Sequence, residues 1–256
     1  VRRLVADAAP DLVINLASLV TGGRERELVL PTFHANLASA VYLLDAATDL
    51  GCHRFLQVGS LEEPEPGEPM TTPASPYAAA KWAASAYARM FHQLYQAPVV
   101  LLRLFMVYGP GQRDLGKLAP YVTLSLLRGE EPRLSSGKRP VDWVYVDDVV
   151  EGLLRAARVP GIEGQQLDLG SGKLVPVRTV VEQIYSLLAP AREPRFGTLA
   201  DRPMEQVRVA RATEAEEILG WRAKTPLDEG LATTVAWYRD ELGAGRLAAP
   251  VAAQGA

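Results

Sequence analysis

Short apolar runs alternate with longer helical patterns along this chain, and that alternation limits the possible folds more than any other feature. Strands are predicted near residues 12–17, 54–59, 99–105 and 166–169, where the apolar runs are typical of buried parallel strands. Helices are predicted near residues 31–50, 76–95, 117–128, 147–158, 176–188, 213–219 and 227–242. Strands that alternate with helices in this way predict an α/β fold with a parallel sheet.

Composition narrows the class of protein. The 256 residues suffice for one large domain or two small ones with a sizeable core. A net charge of −3 with scattered basic residues argues against a nucleic-acid partner. No apolar run approaches the length of a membrane span, so no membrane partner is expected. The single cysteine, Cys52, cannot form an intramolecular disulfide, and we expect a cytoplasmic protein.

Tyr77 and Lys81 form a Tyr-x-x-x-Lys pair, and Ser60 ends an apolar strand upstream of it. Residues four apart lie on one face of a helix, which would place the Lys81 ammonium near the Tyr77 phenol. A neighbouring cation lowers the pKa of a phenol toward neutrality, where it can act as a general acid or base. The Ser60 hydroxyl could bond the same substrate oxygen. The pair alone is weak evidence, but its position between two predicted strands favours a catalytic site.

The chain resembles the extended short-chain dehydrogenase/reductase family, in its NAD-dependent epimerase/dehydratase branch, which acts on nucleotide sugars. The matching stretches are Asp11–Ala17, Asn36–Leu37, Val58–Ser60, Ser75–Lys81, Arg103–Arg113, Val141–Val149, Leu219–Trp221 and Pro226–Leu231. They follow the family's order and span nearly the whole chain. The glycine-rich turn with which family members begin is absent from this sequence, so we expect that about sixty residues of the usual fold are missing.

The resemblance implies a Rossmann-like, doubly wound parallel sheet without its N-terminal strands, joined to a smaller C-terminal α/β substrate lobe. Residues 1–115 would form the partial dinucleotide-binding domain. Residues 116–242 would mainly form the substrate lobe, with a return to the Rossmann sheet near residues 140–170. Residues 243–256 would be a disordered tail.

The same resemblance implies a set of cofactor-binding residues, with NAD or NADP as the cofactor. One group lines the end of the first strand, and the others would lie near the nicotinamide or its ribose. Asn36 is compared with an asparagine at a helix start, and it could instead bond the neighbouring strand. The full set is Leu16, Ala17, Ser18, Asn36, Tyr77, Lys81 and Phe105.

Substrate contacts are implied at Ser60, Glu62, Met106, Lys117 and Arg202. The planar guanidinium of Arg202 suits a diphosphate, although an ion pair with Asp201 or Glu205 is the alternative. Family members commonly carry Asn at the place of Met106. No metal site is predicted.

The implied activity is hydride transfer at C4 of a nucleotide-linked sugar, as a 4-ketoreductase or a 4-epimerase, with Ser60, Tyr77 and Lys81 as catalytic residues. A nucleotide-sugar 4,6-dehydratase is the alternative, with Glu62 as its base, and Leu61 stands where dehydratases carry an acid. A non-catalytic binding protein that keeps the fold is the alternative of another class. The family's four-helix interface would make the protein a homodimer.

Overall fold

The computed structural model describes residues 1–64 and 72–247. Its strands are, in chain order, β1 (Leu12–Asn15), β2 (Arg54–Ser60), β3 (Val99–Leu104), β4 (Met106–Tyr108), β5 (Pro140–Tyr145), β6 (Gln166–Leu169) and β7 (Leu174–Pro176). Its α-helices are α1 (Arg2–Ala8), α2 (Val29–Thr32), α3 (Ser39–Asp49), α4 (Pro76–Tyr95), α5 (Leu118–Leu127), α6 (Val146–Arg158), α7 (Val177–Leu188), α8 (Ala212–Leu219) and α9 (Leu227–Gly243). A 3₁₀ turn (Arg26–Leu28) precedes α2, and a π-helical segment (Phe33–Ala38) joins α2 to α3.

The chain forms two compact units. Residues 1–105, 150–169 and 211–222 form the first unit, and residues 106–149, 170–210 and 223–247 are the described part of the second. The functional division expected from the sequence, with its limits at residues 115 and 242, stays a prediction. The tail expected at residues 243–256 falls mostly on residues 248–256, which lie outside the described residues.

The first unit is built on a parallel sheet with the strand order β1-β2-β3-β6. Every residue of β2 is buried, as expected for the apolar run Phe55–Val58 between two neighbours and under a helix. Leu44, Phe55, Phe91 and Leu101 contribute to the core between the sheet and helices α3 and α4. The predicted α/β class and parallel sheet are confirmed.

Helix α4 carries the tyrosine and lysine, and its sequence explains its limits. The Ser75 hydroxyl accepts a hydrogen bond from the amide of Ala78, and Pro76 occupies the first turn, where its missing N–H costs nothing. The helix ends at Tyr95, and the next residue, Gln96, caps it in a left-handed conformation with a φ of 56°. Alanines on the buried face let α4 pack closely on β2, so its first turns lie against the end of that strand.

The second unit contains a three-stranded sheet with the order β4-β5-β7, in which β4 and β5 are parallel and β5 and β7 antiparallel. The chain was expected to return to the first sheet near residues 140–170; Pro140–Tyr145 belongs to this second sheet, and Gln166–Leu169 pairs with β3 in the first. Only residues 150–169 return to the first unit before residue 170. Helices α5, α7 and α9 supply the core of the second unit with β5.

Among residues 1–64 and 72–247, no helix is long and apolar enough to cross a membrane. Within the same ranges, no group of three metal-ligating side chains is clustered.

Candidate active site

Three hydroxyl groups meet at the carboxyl end of β2 in the first unit. Ser60 is the last residue of β2, and Tyr77 lies in the first turn of α4. The Tyr77 hydroxyl is hydrogen-bonded to the hydroxyls of Ser60 and Ser18. The Tyr77 side chain is buried. The structure thus brings together the phenol and the alcohol that the sequence selected for proton transfer, and their catalytic roles stay a prediction.

The surroundings of Tyr77 raise the pKa of its phenol. Burial is the largest cause, the carboxylates of Glu62 and Glu63 add to it, and the hydroxyls of Ser60 and Ser18 oppose it. The sequence predicted that this pKa would be lowered toward neutrality, and that direction was wrong, because burial raises it instead. Spacing along a helix fixes which face a residue occupies, but not where the end of a long side chain lies.

The Lys81 ammonium lies beneath the strand end and is only 3% exposed. It donates a hydrogen bond of 3.1 Å to the carbonyl oxygen of Val58 in β2. Burial lowers the pKa of Lys81 to about 8, and the Glu63 carboxylate raises it against that effect. Ligands of open α/β sheets bind at the carboxyl ends of the strands, and this ammonium lies near such an end.

Glu63 is a buried carboxylate that the sequence analysis did not select. Its Oε1 accepts a hydrogen bond of 2.7 Å from the Ser60 amide, and its own amide donates one of 3.1 Å to the Ser60 carbonyl. Its side chain also bonds the Ser85 hydroxyl on α4. Burial raises the pKa of Glu63, while these hydrogen bonds and the charges of Lys81 and Arg103 lower it. The sequence offered one weak signal, a second glutamate three residues after Ser60.

A row of charges continues from Glu63 across the sheet. Gly59, Arg103 and Asp168 are aligned on β2, β3 and β6. Arg103 holds Asp168 through two hydrogen bonds, of 2.8 Å from Nε and 2.9 Å from Nη2, and both side chains are buried. Asp168 also accepts a hydrogen bond from the amide of Arg211, whose guanidinium is half-exposed. Every buried charge in this row therefore faces one of opposite sign.

Asn36 fixes the segment after β1. Its Oδ1 accepts hydrogen bonds from the Leu19 amide at 2.7 Å and the Ser18 hydroxyl at 3.1 Å, and its Nδ2 donates to the Leu19 carbonyl. It lies inside the π-helical segment and not at a helix start, which corrects the comparison made from sequence. These contacts match the alternative role stated for Asn36, that of a polar residue that bonds the segment next to it in the same chain. Leu16 and Ala17 lie exposed in the same segment.

The residues that directly follow β2 are largely buried. Leu61 is buried, Glu62 is half-buried and Glu63 is buried. The Glu62 amide donates a hydrogen bond of 3.2 Å to the Ser60 hydroxyl oxygen. Residues 65–71 of the same loop lie outside the described residues.

The remaining candidates are divided between the units. Phe105 is buried at the end of the first unit, where its amide donates to the Leu169 carbonyl. Met106 pairs with Trp143 in the second unit, and Lys117 precedes α5 with its ammonium 3.9 Å from an Asp114 carboxylate oxygen. Arg202 is half-buried in the segment between α7 and α8.

The two carboxylates proposed as alternative partners of Arg202 have other contacts. Asp201 accepts a hydrogen bond from the Ser136 amide, and Glu205 forms an ion pair with Arg139 at 3.1 Å. Arg139 also donates two hydrogen bonds to the Gln206 carbonyl, so its guanidinium holds this segment in place.

Comparison with known proteins identifies the family. Residues 1–170 match the sequence profile of the NAD dependent epimerase/dehydratase family. The UDP-glucose 4-epimerase of Mycolicibacterium smegmatis is 30% identical over 251 residues, which cover 93% of this chain and 79% of that protein. The dTDP-glucose 4,6-dehydratase of Xanthomonas campestris is 30% identical over 265 residues and is covered to 75% of its length, with 93% of this chain aligned. The chain belongs to the NAD-dependent epimerase/dehydratase family.

Solved structures agree with this assignment. The UDP-glucose 4-epimerase of Thermotoga maritima, determined with UDP-glucose, has a TM-score of 0.81 at 27% identity and is aligned over 94% of this chain and 81% of its own. MoeE5, determined with UDP-glucose and NAD, has a TM-score of 0.82 at 29% identity, with 93% of this chain and 83% of that chain covered. The predicted Rossmann-like fold, enzyme class and NAD dependence of the family are confirmed.

The side chains of the first unit fit part of such a cofactor. Lys81 is buried, and the hydroxyls of Tyr77 and Ser18 are hydrogen-bonded to one another near the carboxyl end of β2. An ammonium and hydroxyl groups are the donors and acceptors that suit the diol of a ribose. Lys81 and Tyr77 would hold the nicotinamide ribose, and the residues after β1 would lie along the cofactor.

Proposed function

We propose that the protein is an NAD-dependent oxidoreductase that acts at C4 of a nucleotide-linked sugar, as a 4-epimerase or a 4-ketoreductase. The observation that carries the proposal is the hydrogen-bonded pair of Tyr77 and Ser60 at the end of β2, with the buried Lys81 on the next turn of the helix. A phenol bonded to an alcohol can exchange a proton with one substrate oxygen while the alcohol orients that oxygen. The relatives that act on UDP-glucose and dTDP-glucose support a nucleotide sugar as substrate.

Each side chain then has a role of its own. Tyr77 removes the proton from the C4 hydroxyl and returns a proton to the C4 oxygen in the reverse direction. Ser60 donates a hydrogen bond to the same oxygen, and Lys81 binds the ribose of the cofactor. Bound NAD supplies the acceptor for the hydride that leaves C4. The proposed substrate contacts in the second unit are Met106, Lys117 and Arg202, of which the two cations suit the diphosphate.

A 4,6-dehydratase is the second candidate, because the carboxylate of Glu62 lies close enough to Tyr77 to raise its pKa. A carboxylate in that position could serve as the base of a water elimination. The buried Leu61 disfavours it, since no acid stands beside Ser60 at that position.

Incubation with NAD and UDP-glucose or dTDP-glucose separates these functions. A 4-epimerase should form the 4-epimer of the substrate, with unchanged mass. A 4-ketoreductase should reduce a 4-keto sugar nucleotide when NADH is supplied. A product that has lost one water would instead identify the dehydratase. Absence of any product from UDP-glucose, dTDP-glucose and the 4-keto sugar nucleotide would remove both enzymatic proposals.

Binding of the cofactor distinguishes the proposed oxidoreductase from a non-catalytic protein with the same fold. NAD or NADH at 100 times its dissociation constant should raise the free energy of unfolding by about 2.7 kcal/mol, which thermal denaturation detects. NADP and NADPH serve as the comparison for cofactor choice. A melting temperature that none of the four dinucleotides moves would contradict the oxidoreductase proposal.

We also propose a homodimer formed by the helical stretch of residues 29–49 together with α4 from each copy. Both carry exposed apolar side chains, among them Val29 and Phe33 on the first and Trp82 and Tyr87 on the second. An apolar groove of about 610 Å³ runs between these helices and is lined by Val29, Phe33, Leu37, Ala79 and Ala83 among others. A second copy presenting the same helices would cover these side chains.

Phe33→Glu should therefore dissociate the dimer, because the interface would have to bury an unpaired carboxylate. Light scattering coupled to size-exclusion chromatography measures the mass of each species. Leu187→Glu, at an exposed leucine of α7 in the second unit, is the control that should stay dimeric. A monomeric wild-type protein at micromolar concentration would contradict the proposed interface.

The cytoplasmic location stays a proposal, supported by the buried, reduced Cys52.

A further inference from the structure

The segment between α7 and α8 contains a turn, residues 202–205, that carries the arginine proposed to bind the diphosphate. Arg202 is half-buried at the first position of this turn. Within the part of the chain that the structure describes, the Arg202 side chain has neither a hydrogen bond nor an ion pair. A guanidinium that is partly removed from water and has no acceptor suits an anion with several oxygens.

The start of the turn is tied to the stretch of chain that precedes β5. The Ser136 amide donates a hydrogen bond of 2.9 Å to Asp201 Oδ1, one residue before Arg202. Two residues further upstream, the Leu199 amide donates one of 3.0 Å to the Leu134 carbonyl. The chain is therefore fixed up to the residue that precedes Arg202.

The end of the turn is tied by Arg139. Its Nε and Nη2 donate to the Gln206 carbonyl at 3.1 and 2.8 Å, and its Nη1 donates to Glu205 Oε1 at 3.1 Å. The side chains of this ion pair are only 18% and 22% exposed, so water screens it less than a pair on the open surface. The next tie follows at Ala210, whose amide donates to the fully buried Asp142 at 2.9 Å.

The backbone of the turn is restricted by its own sequence. Pro203 has a fixed φ and limits Arg202 to extended conformations. Met204 has a φ of 57°, in the left-handed region that residues other than glycine rarely adopt. Its side chain is exposed, so its own packing does not impose this conformation. Such a conformation persists only where the surrounding contacts hold it, and the ties at Asp201 and Arg139 lie on either side of it.

We propose that Arg139 and Asp201 are positioning residues that hold the 202–205 turn rigid and so present Arg202 to the diphosphate of the substrate. The inference deepens the proposed function and rests on it for the identity of the anion. A turn that is ordered before binding loses less conformational freedom when the ligand arrives, which improves affinity. Arg139 then acts on the ligand through Arg202 and does not touch it.

A double-mutant cycle measured with UDP and dTDP by titration calorimetry tests this dependence. Arg202→Met should raise the dissociation constant by about 10- to 100-fold, the usual effect of losing hydrogen bonds from a charged group. Arg139→Met should raise it by about tenfold, with unchanged stoichiometry. The double variant should bind no more weakly than Arg202→Met alone, because Arg139 acts only through Arg202. Additive losses would overturn the proposal, since Arg139 would then affect the ligand on its own.

Arg246→Met is the matched control. Arg246 also forms an arginine–glutamate pair in the second unit, with hydrogen bonds of 2.9 and 2.6 Å to Glu241, and it makes none of the ties described above. Its loss should leave the affinity for both nucleotides unchanged. A lowered stoichiometry with a wild-type dissociation constant in Arg139→Met would mean that part of the protein is unfolded, and it would overturn the positioning role.

Backbone dynamics test the turn without any ligand. The ¹⁵N order parameters of the Met204 and Glu205 amides should be about 0.85 in the wild-type protein and fall below about 0.6 in Arg139→Met. Mobile amides in the wild-type protein, or rigid ones in the variant, would overturn the proposal.

The two experiments separate this inference from the proposed function. A wild-type protein that binds neither UDP nor dTDP would refute the nucleotide-linked substrate, and the order parameters would then decide whether Arg139 holds the turn. If Arg139→Met does not fold, Asp201→Ala at an exposed position replaces it in both experiments. Wild-type affinity and wild-type order parameters in Asp201→Ala would then overturn the proposal.

Discussion

Tyr77→Phe is expected to lower kcat by about 10²- to 10⁴-fold, the usual contribution of a positioned general acid or base. The substitution removes only the hydroxyl that is bonded to Ser60 and Ser18. The ring stays in its buried position at the start of α4, so folding and cofactor affinity should change little. Turnover of the sugar nucleotide and binding of NAD, each measured separately, give the comparison.

Tyr95→Phe is the matched control for this experiment. Tyr95 is the last residue of the same helix and is 56% exposed, with its ring packed against Phe91. Its hydroxyl has no part in the proposed reaction, and turnover should match the wild-type value. Wild-type turnover by Tyr77→Phe would exclude Tyr77 as the proton-transfer group, while an equal loss in both variants would point to a general effect on folding.

Asp168→Ala should lower the free energy of unfolding by about 3–5 kcal/mol, because it removes the buried carboxylate to which the Arg103 guanidinium donates two hydrogen bonds. Asp168 is fully buried, accepts two hydrogen bonds from Arg103 and accepts the Arg211 amide. Urea denaturation, followed by tryptophan fluorescence, measures the change.

Asp45→Ala is the control, since its ion pair with Arg2 is 3.6 Å long between side chains that are 61% and 63% exposed. Such exposed pairs contribute less than about 1 kcal/mol. The double variant Arg103→Met, Asp168→Leu should regain part of the lost stability, because both charges of the buried pair are removed together. A loss of less than about 1 kcal/mol in Asp168→Ala would show that water or another group reaches Arg103.

The sequence predicted the helices and parallel strands of the first unit well, and the reason lies in local patterns. Ser75 and Pro76 marked the start of α4, and the short apolar runs marked β2 and β3. The strands of the second unit were not predicted, because β4 and β7 have three residues each and carry no periodicity of their own.

The candidate site was predicted in part. Ser60 and Tyr77 were selected by motif, and the structure brings their hydroxyls together. The contact of Lys81 with the Val58 carbonyl, the position of Asn36 inside a π-helical segment and the burial of Glu63 could not be read from sequence. Each depends on where a side chain ends after the chain has packed.

What the sequence alone determined is the order of strands and helices, the family and the identity of the hydroxyl pair, because hydrophobic period, caps and motif spacing are local properties of the chain. What only the tertiary structure decided is the charge state of the site. Burial by α4 and the sheet lowers the pKa of Lys81, raises that of Tyr77 and encloses Glu63 beside them. These shifts arise from desolvation and from charges on separate elements, and such effects exist only once the elements are assembled.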